Sequence, residues 1–275
     1  MHSSYNGIDL VPEYPIWLVL QVHLMPEKFL ETVEPLTPRS SLGEAAYQRL
    51  KQSIMQGEFP ANRKMTLRAV ATALGVSTTP ARDAINRLLA EGALVNEGPK
   101  TVVLPALTLD ALEEVTQTRL ALEGLATEKA ASAVTPADLD ELARLQTLIN
   151  RGLDERRYDE VLKANREFHF LVYRRSNWPR LVTMIESLWL RAGPSLLDLY
   201  PEYSEHRKGV TNHQALMKAL KHKDAGKARA AMEQDLRDGY ERLKRAIEER
   251  QKRAAAKEET EPYSGFPERR RVKAS

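Results

Sequence analysis

The chain has 275 residues, a formal net charge of +3 at neutral pH, and no cysteine. The absence of cysteine excludes a disulfide framework, a thiolate nucleophile and any metal site built from cysteine ligands. A chain of this length most naturally forms two domains, and so small a net charge does not indicate nucleic-acid binding unless the positive residues are clustered.

Residues 1–40 are predicted to form an extended N-terminal arm, because five prolines are scattered through them. The apolar run at 16–24 is shorter than the roughly 20 residues that a membrane span requires, and no basic region precedes it. We therefore expect neither a signal peptide nor a membrane span. The prediction is a cytoplasmic protein with no membrane partner.

A first domain is predicted over residues 41–105, with two closely spaced helices inside the stretch 66–95. In the first of these helices, apolar side chains recur at the spacing of one helix face. Gly75 follows it and supplies the residue type that most easily takes the left-handed conformation ending a helix. Ser77 is the N-cap candidate of the second helix. The pattern predicts a helix-turn-helix.

A wing is expected after the second helix, because apolar and β-branched residues at 94–95 and 101–104 flank a turn at 96–100. A helix of this kind fits the major groove of DNA, where its N-terminal end presents hydroxyls, a guanidinium and free N–H groups. The alternative is a structural helix pair whose arginines are merely solvated. The candidate DNA-binding residues are Ser77, Thr78, Thr79 and Arg82 in the second helix and Lys100 in the wing turn.

Basic side chains outnumber acidic ones in this first domain, which suits contact with phosphates. The basic residues concerned are Arg49, Lys51, Arg63, Lys64, Arg68, Arg82, Arg87 and Lys100.

Residues 60–95 read PANRKMTLRAVATALGVSTTPARDAINRLLAEGALV, and this order resembles the winged helix of the GntR family of transcriptional regulators. The similarity covers about residues 42–104. It implies that Arg68 and Arg82, which match DNA-contact positions of the family, bind the operator. Thr78 departs from the family pattern, because it occupies the position of an arginine that usually reads the operator.

Residues 108–250 are predicted to form a second, all-helical domain, so the fold as a whole is mainly α. No strand-like alternation follows Leu104, and a helical bundle would bury the apolar stripes. The tail over 251–275 mixes charged residues with proline and glycine, and disorder is expected there. The helices are predicted at 108–133, 136–152, 155–176, 178–192, 205–222 and 224–250.

The second domain resembles the FCD ligand-binding domain that follows the winged helix in the FadR group of the family. Matching segments are RLALE from Arg119, NREFH from Asn165 and HQALMKAL from His213. In that family the pocket commonly holds a divalent metal ion between one aspartate and three histidines. The resemblance implies a site in which Asn165 replaces the aspartate and Asp235 replaces one histidine. The implied metal ligands are Asn165, His169, His213 and Asp235.

The candidate ion is a single zinc, nickel or manganese. Zinc and nickel favour imidazole nitrogen, whereas an amide oxygen is a weaker ligand that suits harder cations. Asn165 and His169 are four residues apart and would share one helix face. The alternative is that His169 is a hydrogen-bonded histidine of the core.

Arg119 precedes Glu123 by four residues, and the simplest interpretation is an i, i+4 ion pair. The functional alternative is a guanidinium that binds a carboxylate in the pocket. The resemblance implies a small organic acid as effector. The expected effector-binding residues are Arg119, Asn165, His169, His213 and Asp235.

These patterns predict a ligand-responsive DNA-binding transcriptional regulator. It would bind double-stranded operator DNA as a homodimer and act as a repressor released by a small organic acid. No enzymatic activity is expected, because the sequence has no HExxH, G-x-S-x-G or glycine-rich phosphate loop. Two alternatives stay open, namely a metal-dependent enzyme on a helical bundle and a DNA-binding protein without an effector.

Overall fold

The computed structural model describes residues 40–59, 62–199 and 207–260. Within these residues the chain forms nine α-helices, three short β-strands and one 3-10 helix. The predicted arm up to residue 39 and the predicted tail from residue 261 lie outside the described residues. The elements are α1 (Ser40–Met55), β1 (Lys64–Thr66), α2 (Leu67–Leu74), α3 (Thr78–Ala90), β2 (Val95–Gly98), β3 (Thr101–Val103), α4 (Leu109–Ala130), α5 (Pro136–Asp154), α6 (Tyr158–Arg174), α7 (Pro179–Ala192), the 3-10 helix (Gly193–Leu199), α8 (Lys208–Lys221) and α9 (Ala225–Thr260).

Helices α2 and α3 form the predicted helix-turn-helix. The Thr66 hydroxyl caps α2 by accepting a hydrogen bond from the Ala69 N–H at 3.2 Å. Gly75 follows the last residue of α2 with a φ of +66°, so the predicted left-handed end of this helix is confirmed. Ser77 occupies the N-cap position of α3, but its side chain makes no capping hydrogen bond. The Ser77 hydroxyl therefore does not stabilise α3 by capping.

Replacing Gly75 with alanine is expected to lower the free energy of unfolding by about 1 kcal/mol, because a Cβ is unfavourable at positive φ. A Cβ at position 75 would meet no atom within 4 Å, so the cost is confined to the local backbone. Gly98→Ala is the matched control, since position 98 is equally open but is not among the residues with positive φ. Urea unfolding of both variants tests this, and equal midpoints would contradict it.

The strands form one antiparallel sheet in the order β1–β3–β2. Strands β2 and β3 are the predicted wing, with Val95 opposite Val103. Strand β1 is an addition to that prediction, and it pairs Met65 with Val102. With three residues, β1 is too short for the alternation of a strand to stand out in the sequence. Fully buried side chains from the helices and the loops beside the sheet form the core of this part, among them Leu50, Ile54, Leu88, Leu94 and Leu104.

Helices α4 to α9 form the predicted helical bundle. The Thr108 hydroxyl caps α4, and Thr135 with Asp138 forms a reciprocal capping box at the start of α5. Helix α9 packs along α4 and α8, and α5 packs against α6. No helix in the described part of the chain combines the length and the apolar character that a bilayer crossing demands. Large side chains fill the centre of the bundle, notably Phe168, Phe170, Tyr173, Ile185 and Trp189.

Helix α9 continues to Thr260, so the expectation of disorder from residue 251 is wrong for residues 251–260. That segment reads QKRAAAKEET, in which nearly every residue has a high intrinsic helix propensity. Its charges suggested disorder, yet a helix accommodates charges on its solvated faces. The first proline in the sequence after the start of α9 is Pro262, beyond the described end.

The winged part meets the bundle where α1 approaches α7. Lys51 Nζ on α1 lies 2.8 Å from Glu186 Oε2 on α7. Burial acts to lower the pKa of Lys51, but the hydrogen bond and charge of Glu186 outweigh it and raise the pKa overall. Just after α7, a Cβ on Gly193 would lie only 3.2 Å from Met55 Cα. The absence of a side chain at Gly193 is what allows the two backbones to touch.

Candidate functional site

An open groove of about 720 Å³ runs between the start of α2, helix α3 and the wing. Arg68, Thr78, Arg82 and Lys100, four of the predicted DNA-binding residues, line this groove. Ser77 and Thr79, the other two predicted residues, are exposed at the start of α3 and are not part of its lining. The fold thus brings residues from three separate elements onto one surface.

Several basic residues of the winged part are paired with carboxylates in the described ranges, whereas those of the groove are not. Lys64 pairs with Glu97 at 3.4 Å, and Arg87 pairs with Glu44 while its guanidinium lies 3.6 Å from the Tyr47 ring centroid. In contrast, no carboxylate of the described ranges forms an ion pair with the three basic residues of the groove. These three residues are Arg68, Arg82 and Lys100.

The start of α3 adds to the positive character of the groove. The first N–H groups of a helix have no acceptor within the helix and carry a partial positive charge. Thr78 and Thr79 provide two of these groups, and Pro80 provides none. Exposed cations beside a helix N-terminus form a surface suited to the phosphates of nucleic acid.

A second cluster lies inside the bundle, where α6, α8 and α9 bring His169, His213 and Asp235 together. Their ligand-type atoms all lie within 4.8 Å of one another. His169 Nε2 is 3.3 Å from His213 Nε2 and 3.4 Å from Asp235 Oδ2. Both histidines are 2% exposed. Three of the four predicted ligands therefore converge in space.

Asn165, the fourth predicted ligand, lies one helical turn before His169 and lines the same cavity as His169 and Asp235. This cavity has a volume of about 50 Å³, and a single water needs roughly 10–15 Å³ of such volume. The space is thus sufficient for an ion with a few waters. Leucine side chains form much of the remaining wall, namely Leu112, Leu162, Leu196, Leu199, Leu236 and Leu243.

The electrostatics of the cluster favour a neutral His213 beside a carboxylate. Burial, together with the neighbouring His169, lowers the pKa of His213 to about 3, although Asp235 opposes this shift. Burial acts to raise the pKa of Asp235, but the hydrogen bond from His169 and the charges of both histidines lower it overall. Near neutral pH the cluster therefore offers the neutral imidazole nitrogen of His213 and the carboxylate oxygen of Asp235, and both are common types of ligand for divalent metal ions.

Two residues that the sequence analysis missed contact the Nδ1 atoms of the two histidines. Gln146 Oε1 lies 2.7 Å from His213 Nδ1, and the Tyr173 hydroxyl oxygen lies 3.1 Å from His169 Nδ1. Tyr173 is four residues after His169, so helical spacing was a usable signal for this contact. Gln146 lies on α5, 67 residues from His213, and nothing local in the sequence indicates that pair.

Arg119 forms the i, i+4 ion pair with Glu123, in a buried setting. Arg119 Nε donates to Glu123 Oε1 at 2.5 Å, and the guanidinium lies 4.7 Å from the Trp189 ring centroid. Burial acts to lower the pKa of Arg119, but the charge of Glu123 raises it overall. Glu123 also accepts hydrogen bonds from Tyr173 and from Trp189 Nε1. Arg119 also lines the cavity, as binding of an effector carboxylate would require. That contact with an effector stays a prediction.

Family models match both parts of the chain. The model of the bacterial regulatory proteins of the gntR family matches residues 42–101, and the FCD domain model matches residues 114–238. The HTH-type transcriptional regulator McbR of Escherichia coli (strain K12) is 33% identical over 177 residues, which covers 64% of this chain and 80% of that protein. The chain belongs to the GntR family.

Solved structures agree with this assignment. The structure of E. coli McbR/YncC has a TM-score of 0.69 and 30% sequence identity, and the match covers 74% of this chain and 97% of that one. A putative GntR regulator from Rhodococcus sp. RHA1 shares the fold, with a TM-score of 0.61 at 20% identity over 74% of this chain and 98% of that one.

This GntR-family protein is a DNA-binding transcriptional regulator with an FCD effector-binding domain. The predicted resemblance to the GntR winged helix and the FCD domain is confirmed, and so is the mainly α fold class. Membership of this family assigns the chain to transcriptional regulators and not to metal-dependent enzymes. Regulators of the family bind operator DNA.

Proposed function

We propose that this regulator is a homodimeric repressor that leaves its operator when a small organic acid enters the FCD domain. One observation carries the proposal: a groove whose three cations form no ion pair within the described ranges and a buried ligand cluster occupy different parts of the chain. We assign operator binding to residues 41–105 and effector binding with dimerisation to residues 108–250.

We favour repression over activation because two relatives are named gluconate operon transcriptional repressor. The protein from Bacillus licheniformis is 24% identical over 208 residues, covering 73% of this chain and 82% of that protein. The protein from Bacillus subtilis is 23% identical over 218 residues, covering 77% of this chain and 87% of that protein.

In the proposed complex, α3 enters the major groove and the wing contacts the adjacent backbone. Arg82 reaches base edges from α3, while Arg68 and Lys100 contact phosphates or bases from α2 and the wing. Ser77, Thr78 and Thr79 contribute hydroxyls at the start of α3. A two-fold dimer places two such surfaces on the half-sites of a palindromic operator. Because Thr78 replaces the family's arginine, one base of the half-site should differ from the usual one.

Arg82→Ala is expected to weaken operator binding by about 1–3 kcal/mol, which is roughly 5- to 150-fold, if Arg82 contacts a base. Operator affinity measured at several salt concentrations separates base from phosphate contacts, since loss of a phosphate contact also flattens the salt dependence. Arg144→Ala on α5 is the matched control, because it removes the same charge from an exposed site in the bundle. Parent-like binding by a folded Arg82→Ala protein would refute the assignment of α3 as recognition helix.

We further propose that the FCD domain holds one zinc, nickel or manganese ion. His169 Nε2, His213 Nε2 and a carboxylate oxygen of Asp235 would bind it, with Asn165 as the fourth side chain of the site. The chemistry of these donors supports the proposal, since two imidazoles and one carboxylate suit a divalent ion. When bound, the ion supplies a positive charge that attracts the carboxylate of an effector.

The size of the cavity and the position of Arg119 determine what kind of effector can bind and how. Its volume of about 50 Å³ is smaller than an organic acid requires. Binding of such an acid therefore requires the cavity to enlarge by movement of side chains in its wall. Arg119 remains the proposed receptor for a second carboxylate or hydroxyl group, because it lines the cavity while paired with Glu123.

A further inference from the structure

Two side-chain amides line the open groove between α3 and the wing, and the operator contacts proposed above use neither of them. Asn86 lies on the third turn of α3, and Asn96 lies on β2, across the groove from it. Both residues are exposed, and among the described residues neither amide has a hydrogen-bond partner. Arg87, in contrast, pairs with Glu44 and does not line the groove. Each amide therefore has two N–H donors available to a ligand.

Distance along α3 determines which part of the DNA Asn86 can reach. In the proposed complex the start of α3 meets the base edges, and the major groove is about 8.5 Å deep. Arg82 follows Thr78 by four residues, which is about 6 Å along a helix, so it lies within that depth. Asn86 follows Thr78 by eight residues, or about 12 Å, and lies beyond it. Asn86 is therefore at the rim of the major groove, where the phosphates are.

The width of the major groove leads to the same part of the DNA. The major groove is about 12 Å wide, and a helix with its side chains has a diameter of about 10–12 Å. Helix α3 alone fills that width, so the wing must lie across the sugar-phosphate strand that borders the major groove. The space of about 720 Å³ between α3 and the wing is then the space that this strand occupies.

The charge of this space suits a sugar-phosphate strand. Arg68, Arg82 and Lys100 line it, and no carboxylate of the described residues does. An amide N–H that donates to a phosphate oxygen forms a charge-assisted hydrogen bond, although the amide itself is neutral. Asn86 and Asn96 can thus add hydrogen bonds to the strand without adding to the charge of the groove.

We propose that the groove between α3 and the wing binds one sugar-phosphate strand of the operator, with Asn86 and Asn96 donating hydrogen bonds to its phosphate oxygens from opposite sides. Such contacts fix the position of α3 and the wing on the duplex but read no base. This inference rests on the operator binding proposed above and adds the residues that hold the DNA backbone.

The first measurement is the affinity for a duplex operator that the parent has selected from random DNA. Asn86→Ala and Asn96→Ala should each weaken binding by roughly 3- to 15-fold, the effect of losing one hydrogen bond. Operators with single base changes should show the same loss, because a phosphate contact does not depend on sequence. Gln48→Ala removes an exposed amide of α1 that does not line the groove, and it should bind like the parent.

The second measurement is the salt dependence of the same affinities. Asn86→Ala should keep the slope of the parent, because it removes no charge, whereas Lys100→Ala should flatten the slope by about 0.9. Asn86→Lys places a cation at the strand and should steepen the slope by about 0.9 while strengthening binding at low salt. Gln48→Lys adds the same charge on α1, outside the groove, and should steepen the slope less.

These results can overturn the inference in three ways. Parent-like affinity in Asn86→Ala and Asn96→Ala would refute the backbone contacts. A loss confined to operators that carry one particular base would show that the amides read bases instead. Equal slopes for Asn86→Lys and Gln48→Lys would show that no phosphate lies near Asn86.

Arg82→Ala separates this inference from the operator binding on which it rests. If Arg82→Ala weakens binding and the two alanine variants of the amides do not, only the backbone site is wrong. If the amide variants weaken binding uniformly and Arg82→Ala does not, α3 is not the base-reading helix and the backbone site is still supported.

Discussion

Replacing Glu123 with glutamine is expected to lower the free energy of unfolding by about 3–5 kcal/mol. Glu123 is 0% exposed, and its carboxylate is the counter-charge of the buried Arg119 guanidinium. Glutamine has nearly the same shape but no charge, so Arg119 would remain buried and uncompensated. The amide group would also turn one donor toward Arg119, Tyr173 or Trp189, all of which need an acceptor.

Urea unfolding of Glu123→Gln measures this effect, and Glu141→Gln provides the matched control. Glu141 also pairs with an arginine of its own helix, Arg144, but the two side chains are 41% and 57% exposed. An exposed pair of this kind contributes little, so the control should unfold like the parent. A Glu123→Gln protein as stable as the control would show that Arg119 does not depend on this carboxylate.

The double replacement His169→Ala and His213→Ala is expected to abolish stabilisation by metal ions while leaving operator binding intact. At a Zn²⁺ concentration of 100 times its Kd, the parent should gain about 2.7 kcal/mol of stability, because the ion binds only the folded protein. The double variant should gain nothing. Its groove residues lie on α2, α3 and the wing and are unchanged, so operator affinity should remain.

Thermal unfolding with and without Zn²⁺ measures the first effect. Operator titration with a small carboxylate selected by screening measures the second. The parent should bind operator more weakly when the acid is present, and by linkage it should bind the acid more weakly on the operator. His222→Ala, at the exposed end of α8, controls for the loss of a histidine. A double variant that still responds fully to the acid would place the effector site elsewhere.

The helix-turn-helix was the most predictable part of the fold. Its signals are local: an apolar stripe, a glycine at the helix end, where the observed φ is +66°, and a turn before the β-branched run Thr101–Val103. Strand β1 was not predictable, because its three residues become a strand only through pairing with β3.

The contacts of the site could be predicted only where helical spacing or the family resemblance indicated them. The spacing of four residues connects Arg119 with Glu123 and could have connected His169 with Tyr173. The meeting of His169, His213 and Asp235 depends on how three helices pack, and only resemblance indicated it. The contact between Gln146 and His213 had no signal of either kind.

The contact of Gly193 with Met55 constrains how events in the cavity can reach the DNA-binding surface. Side chains between two packed elements can change rotamer and absorb a small displacement, but here backbone rests on backbone. Trp189 and Ala192 of the same helix line the cavity, one turn and one residue before Gly193. A shift of this end of α7 would therefore press directly on the end of α1. Such pressure would tilt the winged part, and in the proposed dimer a tilt would alter the distance between the two recognition helices.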